Sequence, residues 1–213
     1  MKTNLLLNSL IAAAAFCAVA PTASAGQHAR SGTFQNSRGQ SGTFTQTVDR
    51  ERGQYSRVTT TGNGKTATVN KTSTHSGNTT TIDGSRTGFD GKTSTWDKTV
   101  TANGKGTASV NGQYTRQNGT SIEINGTATK TADGHTAAGT YSTSNGKSGN
   151  YSIDVVNADG THTRTETVSG TDGKTSTRVI TTDKDGNAIN RTVTTTRPNG
   201  ETGTHSGSVT FNQ

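Results

Sequence analysis

The stretch TETVSGTDGKTSTRVITTDKDGNAINRTVTTTRPNGETGT, residues 165–204, keeps returning to threonine at every second position and is broken at intervals by Asp-Gly or Asn-Gly. A period of two places successive side chains on opposite faces of an extended chain, and β-branched residues favour that conformation. Asn-Gly and Asp-Gly favour reversal, because those residues tolerate the positive φ that a type I′ turn needs. The pattern therefore predicts β-hairpins. The expected turns end at glycines 64, 84, 91, 104, 112, 119, 126, 134, 146, 160, 173, 186 and 200, with Ser76-Gly77-Asn78 as a related reversal. Their spacing varies, and a solenoid of identical coils normally keeps a stricter period.

Alternation also assigns faces. In the strands predicted at Thr161–Val168 and Ile189–Thr196, Thr161, Thr163, Thr165, Thr167, Thr192, Thr194 and Thr196 fall on hydroxyl-rich faces. The opposite faces carry His162, Arg164, Glu166 and Val168, and Ile189, Arg191, Val193 and Thr195. Charge mixed with isolated aliphatics is a poor lining for a dry core. Composition sharpens the point: hydrophobic residues make up 25% of the chain, whereas folded domains carry about 45–50% apolar residues counting glycine.

The expected fold is accordingly all-β: antiparallel hairpin or meander repeats forming an extended, thinly packed sheet, wet over much of its area. Backbone pairing, threonine methyls and cross-strand pairs supply the stability, each pair worth roughly 0.2–1 kcal/mol. Tyr114, Tyr141, Tyr151, Ile153, Val155, Trp96 and Phe89 are the expected local clusters. No apolar 3.6-residue period follows the N-terminal run, so no helix is expected there. Low hydrophobicity alone would also suit a disordered chain; the regular alternation favours order.

The chain opens MKTNLLLNSLIAAAAFCAVAPTASA, with a basic residue, an apolar run and Ala23-Ser24-Ala25 as a small-residue cleavage site. Residues 1–25 read as a secretory signal peptide, 26–56 as a flexible Gly/Ser/Gln/Arg-rich lead-in and 57–213 as the Thr/Gly-rich repeat region. Phe16 before Cys17 departs from a lipid-attachment site, and the exported chain would keep no cysteine, hence no disulfide. The mature chain is expected to carry no membrane span, and its address to be the periplasm, cell surface or exterior.

No cofactor, metal or catalytic site is expected. THSG places His75 beside Ser76 and His205 beside Ser206, but strand neighbours point to opposite faces. DKDGN at 183–187 resembles part of a calcium loop, yet its glycine comes fourth and Thr194 stands in the last place. The net charge of +7 is interspersed along the chain, which suits weak polyanion or glycan contact without specific nucleic-acid binding. The Thr-x-Thr pattern resembles threonine-rich antifreeze proteins, with irregular intervals and charged reverse faces as departures. DGKTST and NGKTAT resemble, in hairpin logic, the strand–turn–strand YD-type repeats of large bacterial surface proteins, though the Tyr-Asp pair is missing.

The expected function is that of a secreted or envelope-associated, non-enzymatic β-repeat protein with a structural or surface-interaction role, including self-association through sheet edges. The alternative is a binding module for ice, glycan or anionic envelope polymer through a Thr-rich face. Far-ultraviolet circular dichroism of the chain from Gly26 onward should show a β minimum; a random-coil spectrum would remove the hairpin reading.

Overall fold

The computed structural model describes residues 26–212; the expected signal peptide, with Cys17, lies outside them. The strands are β1 (Gln27–Asn36), β2 (Ser41–Asp49), β3 (Gln54–Thr61), β4 (Thr66–Ser76), β5 (Thr79–Thr87), β6 (Thr93–Gly104) and β7 (Thr107–Thr115). They continue as β8 (Ser121–Lys130), β9 (Gly134–Thr143), β10 (Ser148–Ala158), β11 (Thr161–Gly170), β12 (Thr175–Asp185), β13 (Ala188–Thr196) and β14 (Thr202–Phe211). Every strand pairs antiparallel with its sequence neighbours, and β1 pairs with β14, so the meander closes into a barrel. The extended open sheet is thus corrected: the sheet's two ends satisfy each other. The lead-in is corrected too, since residues 26–56 hold β1, β2 and the start of β3.

Following residue partners once around the wall returns to β1 displaced by about 18 residues, a stagger that tilts the strands by roughly 40°. One consequence is a short seam. β1 and β14 pair from Gly32↔Phe211 to Asn36↔Gly207, leaving Gln27–Arg30 and Thr202–His205 beyond the seam at its two ends.

The turns differ between the two rims, which is why the sequence intervals looked irregular. At one rim the turn glycines are Gly39, Gly64, Gly91, Gly119, Gly146, Gly173 and Gly200, recurring about every 27 residues, one hairpin each. All use the same two backbone bonds, as in Gly64 N–H to Thr61 O (2.9 Å) and Thr61 N–H to Lys65 O (2.9 Å). This is a type I turn followed by a left-handed glycine, with φ +79° at Gly64. The Asn or Asp before that glycine is not left-handed; at Asp90, Asn118, Asp172 and Asn199 its oxygen accepts from the N–H two residues on, as Asp90 Oδ1 does from Lys92 (3.2 Å), while at Asn63 and Asn145 it accepts from the Thr61 and Thr143 hydroxyls. The type I′ expectation holds at the opposite rim, at Asp159-Gly160 (φ 50° and 76°).

Cross-strand partners lie on the same face, so the register carries one face around the whole wall. Buried strand residues all fall on that face, among them Phe44, Ile82, Val110, Ile122, Ile124, Ile153, Val155 and Ile180. Among the described residues only other parts of the wall can cover it, so this face is the interior. A circular wall of this many strands would be wide enough to hold water; Ile122 at 0% exposure requires a wall curled closely over its own inner face. The core cluster runs through β7–β11 as Val110, Tyr114, Ile122, Ile124, Ala128, Ala137, Tyr151, Ile153, Val155 and Val168, with Trp96, Val100 and Tyr141 packed against it. Neither face was expected to bury so much. Of the residues expected to cluster, Phe89 alone fails, sitting in a rim loop at 37% exposure.

Glycines 84, 112, 126 and 134, expected in turns, instead lie within strands, and Gly84 and Gly126, like Gly32 and Gly139, make room for aromatic rings on the inner face. Gly84 faces Trp96, and a side chain there would run into the indole. Tyr151 crosses Gly139, its partner on β9, and its hydroxyl reaches the space over Gly126 on β8. At the seam Gly32 lies between Phe44 on β2 and Phe211 on β14, whose rings meet edge to face at 5.6 Å. Arg57 stacks on the Phe44 ring at 4.3 Å. Gly139→Val would push a side chain to 2.6 Å from the Gly126 Cα, and backbone cannot swing aside. We expect it to cost about 2 kcal/mol or more in urea unfolding; unchanged stability would contradict the close wall.

Candidate functional site

Charge is sorted by face. Every Lys and Arg within a strand (Arg30, Arg57, Lys71, Arg86, Lys98, Lys130, Arg164, Arg178, Lys184 and Arg191) lies on the inner face by register. All five histidines do as well. The strand carboxylates Asp49, Asp83, Asp97, Glu123, Asp154, Asp183 and Asp185 are outward, and Glu166 is the inward exception. An interspersed sequence charge thus becomes a cationic lumen inside an acidic, hydroxylated wall. Period two produces this directly, since a charge at an odd or even place in a strand is committed to one face.

The most buried charges form one group on β11–β13. Glu166 has 0% side-chain exposure, and its Oε1 accepts from Arg164 Nε at 2.5 Å. Its Oε2 lies 3.6 Å from a terminal nitrogen of Arg178, its cross-strand partner. Burial pushes the Glu166 carboxyl above the usual carboxylate range, against the opposing pull of Arg164, Arg178 and Arg191. Burial likewise lowers the Arg164 guanidinium; Arg191, exposed to solvent yet partly desolvated against the wall, is lowered too, and Arg178 adds like-charge repulsion to both.

The second concentration of charge is the rim of type I turns. Its loops carry Arg38, Lys65, Lys92, Lys147, Lys174 and Arg197 exposed, plus a buried Arg116. Against these stand Asp90, Asp172 and Glu201. Asp172 pairs with Lys174 (3.3 Å) and Glu201 with Arg197 (2.6 Å); the Lys174 backbone N–H first, then its side chain, holds the Asp172 carboxyl below the usual range, and the Arg197 guanidinium does so for Glu201. The opposite rim is balanced, with Arg50, Arg52 and Lys105 against Glu51, Asp133 and Asp159. In four of these loops the cation directly follows the turn glycine, as Lys65, Lys92, Lys147 and Lys174, while Arg38, Arg116 and Arg197 precede it, so the repeated Gly-Lys phrase of the sequence is written in space as part of an arc of charge.

The predicted threonines share the outer face and are brought together in rows. Thr163 faces Thr181, which faces Thr192; Thr167 faces Thr177, which faces Thr196. Thr194 and Thr196 bond through their hydroxyls to Thr204 and Thr202, each at 3.1 Å. Thr165 faces Val179 and Thr161 donates to Asp183 (2.7 Å), which interrupts the hydroxyl lattice. Thr165 and Thr167 also border a shallow outer groove with Thr127, Thr136, Ser152 and Asp154. The strand aromatics point inward, so this groove offers a sugar no ring to stack on.

The sequence placed Arg164 and Glu166 on one face but did not identify the grouping with Arg178 and Arg191, nor the rim. The missed signal was the 27-residue recurrence of the rim turn, hidden by counting both rims' turns together. Among the described residues no group of three or more His, Cys, Asp or Glu is placed to hold a metal, and no helix is long and apolar enough to cross a membrane. No protein-family model and no curated protein matches this chain.

Removing Glu166 takes the one inward strand carboxylate away from the Arg164 and Arg178 guanidinium groups. Glu166→Ala should therefore cost about 3–5 kcal/mol by denaturant unfolding, while Glu201→Ala on the exposed rim should leave the midpoint unchanged; equal effects would refute the buried cluster.

Proposed function

We propose that the protein is an exported, non-enzymatic β-barrel that works in water and binds anionic polymers of the cell envelope at its cation-bearing rim. The observation that carries this reading is the presence of a Lys or Arg in every type I hairpin loop on one rim, opposite a rim of balanced charge. The outer wall supports the watery setting. A membrane barrel turns an apolar band outward, whereas this wall turns out threonine, serine, asparagine and aspartate, for example Thr95, Asp97 and Thr99 on β6. Export rests on the N-terminal leader of the sequence.

A polyanion held by rim cations releases counterions, so binding should weaken steeply with salt. On a heparin column, with neutral dextran as the blank, the Lys65→Glu/Lys92→Glu/Lys147→Glu variant should elute at much lower salt than the parent. Arg52→Glu/Lys105→Glu at the other rim should elute close to the parent. Coincident elution of all three would remove the rim from the reading.

The threonine rows support a second reading, an ice- or hydrate-ordering outer face, through the hydroxyl-bonded pairs Thr194–Thr204 and Thr196–Thr202. Thermal hysteresis abolished by Thr192→Tyr/Thr194→Tyr would establish it, and absence of hysteresis in the parent would dismiss it.

A further inference from the structure

We propose that the inner face of β11–β13 is a binding site for a small oxyanion, a phosphate, sulfate or carboxylate group, held by Arg178, Arg191 and the Thr195 hydroxyl. This site lies below the rim loop that carries Arg197 and Glu201, on the inner face rather than in the loops, and the inference stands without the polymer reading.

Charge is the first support. Arg164, Arg178 and Arg191 crowd one carboxylate, Glu166, and no other strand carboxylate faces inward. The groups nearby are His162 on β11, Lys184 on β12 and His205 on β14, with the rim pair Arg197–Glu201 beyond Thr195 and Gly203, where the carboxylate is already committed to Arg197 at 2.6 Å. Glu166 is already committed to Arg164 on one oxygen, and its other oxygen stands beyond hydrogen-bond distance from Arg178. Burying like charges together is costly unless a counter-charge joins them.

Hydrogen bonding is the second support. Arg178 Nε is shut off from solvent and has no acceptor, a condition that costs about 1–3 kcal/mol or more for a buried donor. The Arg178 side chain is nevertheless 17% exposed, so its guanidinium meets the lumen, where an oxyanion would supply the missing negative charge. The guanidinium fork suits an oxyanion because its parallel N–H groups match two oxygens at once.

Space is the third. The inner row Glu166–Arg178–Thr195 ends at Gly203 on β14, and nothing lies within 4 Å of the position a side chain would take at Gly203. Arg191 reaches solvent along the same face, so the site is approached from the lumen. A guanidinium-rich corner that opens to solvent beside the exposed Gly203 and the Thr195 position leaves room for a small tetrahedral or planar anion.

Calorimetric titration of the full-length protein with inorganic phosphate, and separately with sulfate, at ionic strength matched by chloride, tests this. Phosphate or sulfate should bind saturably and raise the melting temperature above the chloride control. Arg191→Gln, at an exposed position that leaves the core untouched, should bind phosphate about tenfold more weakly with an unchanged circular dichroism spectrum, since a charged hydrogen bond is lost. The rim variant Lys65→Glu/Lys92→Glu/Lys147→Glu should bind phosphate as the parent does, which separates this site from those rim lysines. Polyphosphate that competes with phosphate would assign the site to a polymer-borne group, and failure to compete would assign it to the free ion. No saturable binding beyond chloride, or equal phosphate affinity in Arg191→Gln, would overturn the proposal.

Discussion

Strict two-residue alternation along paired strands is the constraint on which this molecule depends. Each strand commits its odd and even places to opposite faces, and the antiparallel register transmits that choice to its neighbours. Carried through a meander that ends where it began, the rule leaves no face undecided: one is interior and the other meets water. Closure thereby turns a modest apolar content into a core. Phe44, Ile82, Ile122, Ile153 and Val168 are far apart in sequence, but all stand on the committed face. The same rule gathers cations inward and leaves carboxylates outward, so the lumenal chemistry is a by-product of how the wall is written.

A chain with so few large apolar residues must use each one over a wide area, and the strand glycines make that feasible. Trp96 over Gly84 and the Tyr151 hydroxyl over Gly126 lie against bare backbone, where a side chain would have held them off the wall. At the seam the absence of a Gly32 side chain lets Phe44 and Phe211 meet, so the first and last strands are joined by ring contact as well as by backbone bonds. Arg30 and Arg57 lie over those rings, at 5.8 Å from Phe211 and 4.3 Å from Phe44. The seam is nevertheless shorter than any other junction, and its overhangs at Gln27–Arg30 and Thr202–His205 are where the wall is least completed.

Strands, antiparallel order and face assignment were legible in the sequence, as Thr163 and Thr165 opposite Arg164 and Glu166 illustrate. Closure was not, because alternation is local and says nothing about whether Thr33 will find Thr210. Asn-Gly and Asp-Gly were read through backbone conformation alone, which misplaced Asn125-Gly126 into a turn and missed the side-chain acceptor role of Asp90. The lead-in around Phe34 and Phe44 looked flexible because its polar, glycine-rich composition hides two rings that are packed only once β14 arrives. The grouping of Arg164, Glu166, Arg178 and Arg191 depends on the register across β11–β13, which turn lengths fix and composition does not.

Closure between β1 and β14 is the central claim, and a disulfide across it is the most direct measurement. Gln35 and Ser208 are outward partners in the seam, and hydrogen-bonded antiparallel partners have Cα atoms about 5.5 Å apart, within disulfide reach. In a Cys17→Ser background, Gln35→Cys/Ser208→Cys should oxidise to an intramolecular disulfide, seen by peptide mass mapping of the monomer. Free thiols, or disulfides only between chains, would mean that the first and last strands do not meet and that the molecule is an open sheet.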